Sequence, residues 1–138
     1  MKTLRTMSFA EQIRTIKFVN GHAWIMAGIF GCFDNMICRI FQILALLVGI
    51  INVFYVFAAK GESSDEMADE NLCKAKANAL DNTQRIFCFI AILAMLISKK
   101  NAITITLDWS RVIPAVFFIL LGVQDLIVGR TFRKLEDE

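Results

Sequence analysis

Residues with chemistry to offer are few in this chain, and Asp125 is the one that most needs an explanation. Residues 112–129, VIPAVFFILLGVQDLIVG, are apolar apart from Gln124 and Asp125, which fall just before Gly129. An ionisable group in such a run is costly unless it is bonded, paired or protonated. His22 stands in a second apolar stretch, residues 18–33, and Asn52 in a third, residues 36–59. Two chemistries fit this set. One is a proton or ion site built on Asp125 and His22. The other is a polar clip, in which Asp125 bonds His22 or Asn52 across helices and so fixes their register. A carboxylate that merely snorkels towards Arg130 is the third possibility. With one histidine and no second carboxylate inside the apolar segments, a conduction path is poorly furnished. The clip is the preferred reading.

Catalytic patterns are absent from the sequence. It has no nucleophile elbow, no phosphate-cradling glycine loop, and no HExxH or HxxxH. Cys32, Cys38, Cys73 and Cys88 show no CxxC spacing, which argues against zinc and against a disulfide framework. Cys32 and Cys38 flank a tight hairpin and are expected as free thiols. A single His cannot supply a haem pair or a histidine-rich metal site. No enzyme activity, metal or cofactor is therefore expected. A formal charge of +2, with no long basic tract, points away from nucleic acid.

The elements that must position these groups follow from composition. Of 138 residues, 57% are hydrophobic and twelve are Phe, and the mean hydropathy is +0.56. A chain this short cannot bury so much apolar surface in a soluble core, so the expectation is a small all-α membrane protein. Residues 36–59 and 112–129 read as membrane helices, the second about 27 Å long. Ser110 is expected to cap it, and Pro114 to lie in its first turn. Residues 86–98, IFCFIAILAMLIS, are short and must borrow Thr83 and Gln84 on one flank, with Lys99 and Lys100 snorkelling on the other. Residues 18–33 are weaker still.

Basic residues decide the count. With four crossings, Lys2, Arg5, Arg14, Lys17, Lys60, Lys74, Lys76, Arg85, Arg130, Arg133 and Lys134 share one side, leaving Arg39, Lys99, Lys100 and Arg111 on the other. Three crossings would make the split nearly even, so the positive-inside rule favours four helices with both termini on the inside. The single membrane domain then divides into a basic amphipathic segment (1–17), a first helical hairpin (18–59), an acidic polar loop (60–85), a second hairpin (86–129) and a charged tail (130–138). In the 99–111 connection, AITITL suits an extended piece, and Trp109 suits the interfacial aromatic belt.

Packing signals accompany this plan. Ala23, Ala27 and Gly31 recur every four residues with Gly28 beside them, and Ala45 with Gly49 repeats the spacing. Small residues in such stripes let helix backbones approach closely in lipid. LLVGIINVF around Gly49 and ILLGVQDLI around Gly122 hint at a duplicated hairpin. In size, crossing number and glycine placement the chain resembles small Golgi vesicle membrane proteins of the COPI-associated type; no residue role follows from the likeness.

Two functions are compatible with these features. The first is a non-catalytic accessory subunit of a larger membrane assembly, with a mitochondrial inner-membrane energy-transducing complex, respiratory chain or ATP synthase, favoured by the basic N-terminal segment and Phe-rich helix faces. The second is a free-standing tetraspan protein of Golgi or endosomal membranes, acting in vesicle trafficking or in small-solute or proton transport. Expected partners are membrane lipids and other membrane subunits.

Overall fold

The computed structural model describes residues 8–58, 66–100 and 108–137. These form four α-helices: α1 (Phe9–Gly31), α2 (Met36–Ala58), α3 (Glu66–Lys100) and α4 (Trp109–Asp137). The protein is all-α, and α2, α3 and α4 are long and apolar enough to cross a membrane. The expected extended piece at residues 102–107, the acidic stretch 61–65, Lys2 and Arg5 lie outside the described residues, as do the side chains of Lys99 and Lys100.

Local sequence sets the helix ends. Ser8 caps α1 through a capping box: its hydroxyl accepts from Glu11 N–H, and the Glu11 carboxylate accepts from Ser8 N–H, both at 3.3 Å. Asn35 opens α2 by accepting from Ile37 N–H at 3.1 Å. The cap of α4 is Asp108, not Ser110; Asp108 Oδ1 accepts from the backbone N–H and the hydroxyl of Ser110 at 3.2 and 2.6 Å. The helix accordingly starts three residues earlier than expected, and Pro114 falls inside it, in the second turn.

Two expected boundaries vanish. The boundary expected between segment 1–17 and the first hairpin falls inside a helix, because residues 9–17 run unbroken into the rest of α1. The 60–85 loop is likewise mostly helix: α3 continues for 35 residues from Glu66 to Lys100, about 52 Å at the α-helical rise. Nothing between Ala68 and Ser98 can break it, since that stretch contains neither Gly nor Pro.

The helices form an open layer in the order α2, α1, α4, α3, and not a closed bundle. α1 therefore lies between two apolar helices. It lacks the composition of a free span, yet its polar groups are met by its neighbours. Its 23 residues reach about 35 Å, enough to run the depth of a bilayer. Both described chain ends lie at the same end of the layer, where Arg14 pairs with Asp137 at 3.1 Å.

The largest enclosed side chain, Phe132, sits near that end with Ala75, Ala79 and Val128, and Ala10, Ile13 and Leu72 pack around it. Asn71 donates to Glu136 at 2.9 Å, and Asn78 to Thr131 at 3.2 Å, tying the first half of α3 to the tail of α4. At the opposite end, Asp34 in the α1–α2 turn meets Arg39 at 2.9 Å and Arg111 at 3.0 Å. The hydrogen bond from Arg111, then its charge, holds the Asp34 carboxyl below the usual carboxylate range.

Candidate functional site

α1 and α4 approach until backbone meets backbone. A Cβ on Gly122 would stand 2.5 Å from the Gly21 carbonyl oxygen, and one on Gly28 would stand 2.6 Å from that of Ala115. Gly21 and Gly28 are seven residues apart, as are Ala115, Gly122 and Gly129, so each antiparallel helix offers small residues on one stripe. No side chain larger than hydrogen fits at Gly122 without separating the helices.

One turn beyond this contact the carboxylate of Asp125 finds its partner. Lys17 Nζ lies 2.6 Å from Asp125 Oδ1, with 24% and 18% of the two side chains exposed. The pairing follows from helix geometry. Lys17 precedes Gly21 by four residues and Asp125 follows Gly122 by three, so both project from the faces that the glycines bring together. Depth alone pointed to His22 or Asn52. His22 instead turns outward: its Nδ1 lies 2.8 Å from the Phe18 carbonyl oxygen, and its ring rests 4.4 Å from that of Phe18. Asp125 does not pair with Arg130 either. Gln124 is half-buried beside Asp125 and joins neither polar bond described here.

Asn52 serves the other side of α1. Its Nδ2 donates to Asn20 Oδ1 at 2.8 Å and, at 3.4 Å, to the carbonyl of Ile16. Asn20 is buried, and its polarity, which weakens 18–33 as a membrane span in the sequence, is met here by Asn52. Trp24, one turn further on, fills the space over Gly49, whose Cβ would meet its ring at 3.3 Å; the same ring stacks on Phe118 of α4 at 5.8 Å.

These contacts give the weak internal likeness a physical meaning. α2 and α4 both run antiparallel to α1, and each presents a glycine followed three residues later by a polar group. Gly49 with Asn52 faces Trp24 and Asn20; Gly122 with Asp125 faces Gly21 and Lys17. α1 is thus held on both flanks at one level by a close approach and a polar bond.

The predicted small-residue stripe is buried as well. Ala27 is fully buried, Ala23 nearly so, and a Cβ on Gly31 would press Gln42 at 2.8 Å. Gly49 is buried and Ala45 half-buried on α2. By helical spacing Ala23, Ala27 and Gly31 share the side of α1 that carries Asn20, so they serve the α2 contact, while Gly21 and Gly28 make the tighter one with α4.

Chemically the arrangement is a fastener. The one carboxylate within the polar level is occupied by an ammonium, and the imidazole points elsewhere. Among the described residues no group of His, Cys, Asp and Glu side chains is placed to hold a metal ion. All four cysteines are free. No protein-family model, curated protein or solved structure matches the chain.

Proposed function

We propose that this protein is a non-catalytic structural subunit of a larger membrane assembly, with α1 and α4 as its rigid spine and α2 and α3 as its outer faces. The observation that carries the reading is the second half of α3. From Arg85 to Leu96 every residue is exposed except the half-buried Ala91, with Phe89 66% and Met95 69% exposed. A long helix is fastened firmly by its polar half while its apolar half stands unaccompanied, an arrangement suited to insertion between neighbouring subunits. The α2 face around Ile43, Leu47, Ile51 and Phe54 is exposed in the same way.

The mitochondrial inner membrane is the favoured setting, in a respiratory-chain or ATP-synthase complex, on the strength of the basic N-terminal residues and the Phe-rich faces. A Golgi or endosomal tetraspan protein is the competing reading. Its proton-transporting version is disfavoured by the closed Lys17–Asp125 pair. The deciding experiment is digitonin extraction of the tagged protein from fractionated membranes, followed by a native gel. Migration in a megadalton band from the inner-membrane fraction supports the proposal. A small particle built only of 15.6 kDa chains, or residence in Golgi membranes, refutes it.

A further inference from the structure

A groove of about 550 Å³ opens between α1 and α4 near the end of the layer where Arg14 meets Asp137, lined by Arg14, Thr15, Phe18, Leu126, Gly129, Arg130 and Arg133. Its two ends differ in chemistry. Phe18 of α1 and Leu126, within the apolar run of α4, each follow a member of the Lys17–Asp125 pair. Arg130 and Arg133 follow one and two turns later, where that run has ended. Gly129 leaves the wall between them without a side chain. Leu126, Gly129, Arg130 and Arg133 therefore form one continuous stripe on α4, facing Arg14 and Phe18 on α1.

The guanidinium groups are under-used. Arg14 and Arg133 share a single carboxylate, Asp137, at 3.1 and 3.7 Å. Arg14 Nε is buried with no hydrogen-bond partner. Arg130 makes no ion pair among the described residues. Three positive charges against one negative, fanned around a groove that runs down to an aromatic and a leucine, match an anion with an acyl chain attached.

We propose that this groove binds the phosphate headgroup of an acidic glycerophospholipid from the adjoining leaflet. Arg130 and Arg133 donate to the phosphate oxygens beside the positive charge of Arg14, and the first methylenes of one acyl chain lie against Phe18 and Leu126. Planar guanidinium donors suit phosphate, and basic pockets between membrane helices at this depth are where such headgroups are held. A lipid is chosen over a free phosphate because the groove continues into the apolar level of the protein.

Native mass spectrometry of the detergent-purified protein, titrated with dioctanoyl phosphatidylglycerol, dioctanoyl phosphatidylcholine or inorganic phosphate, tests the assignment. Phosphatidylglycerol should be retained and phosphatidylcholine should not. Arg130→Gln and Arg133→Gln should each weaken retention about five-fold, the worth of one basic residue at a membrane surface. Lys76→Gln removes an exposed charge from α3, away from the groove, and should leave retention unchanged. The proposal is overturned by equal retention of both lipids, by an Lys76→Gln loss as large as that of Arg130→Gln, or by phosphate displacing the lipid at equal concentration. The first result means apolar binding without charge recognition, the second diffuse attraction, and the third a free-anion site. Arg130 is exposed, so its substitution leaves the fold intact.

Discussion

Removing one member of the Lys17–Asp125 pair should cost far more than removing both. The two charges stand 2.6 Å apart with 24% and 18% of their side chains exposed. Stranding one charge of a fully buried pair costs about 3–5 kcal/mol. Here a fifth or so of each side chain still reaches the surface, so Lys17→Met or Asp125→Leu should each cost about 2 kcal/mol, roughly a thirty-fold shift in the folding equilibrium. The double variant replaces both charges with groups suited to lipid and should fall within about 1 kcal/mol of the parent, giving a coupling energy of about 3 kcal/mol. Asp125→Asn retains a hydrogen-bonding group but not the charge that Lys17 needs, and should lie between the two extremes. The assay is reversible unfolding in mixed micelles. Trp24 fluorescence, in a Trp109→Phe background, reports the close contact because the indole stacks on Phe118. Additive single costs, or an equal cost for His22→Ala, would show that the pair does not fasten these helices.

Three further outcomes follow from named contacts. Gly122→Ala forces a Cβ to 2.5 Å from a backbone oxygen and should cost about 1–3 kcal/mol in the same assay, whereas Gly49→Ala, at 3.3 Å from the Trp24 ring, should cost under about 1 kcal/mol. If α1 crosses with its neighbours, a cysteine placed at Asn35 in a protein retaining only Cys73 will label from the membrane face opposite to Cys73; labelling of both from one face would mean that α1 does not cross. The Asp34–Arg111 tether lowers the Asp34 carboxyl, so it acts at neutral pH and is lost only as the pH falls through that lowered value, beneath the ordinary carboxylate range. Hydrogen-exchange protection of the Cys32–Asn35 turn should therefore drop in acid, and Asp34→Asn should show the low protection at every pH.

Helix class and number were legible because hydropathy and charge act segment by segment. The partner of Asp125 was not, because depth was matched without direction. His22 lies one residue from Gly21, and that step of about 100° carries it off the α4 side of the helix. Lys17 was passed over as a flanking charge, although its four-residue spacing from Gly21 was there to be read. α3 was divided at the change from polar to apolar, yet polarity does not end a helix. A breaker does, and none is present. The cap of α4 was misplaced for a related reason: Asp108 and Ser110 are both good caps, and the hydroxyl of Ser110 is itself spent on Asp108. The Gly-x-x-polar likeness of α2 and α4 was visible as a string, but its meaning required knowing that both helices face α1.

Cross-linking across α1 and α4 measures the central contact most directly. The Cβ that Gly129 lacks would lie 3.1 Å from Cβ of Lys17, within about 1 Å of the mean Cβ separation in a disulfide. With the four native cysteines replaced by serine, Lys17→Cys with Gly129→Cys should oxidise to an intramolecular disulfide in native membranes, and His22→Cys with Gly129→Cys should stay reduced. A disulfide from position 22 and none from position 17 would contradict the packing of α1 against α4 on which the whole account rests.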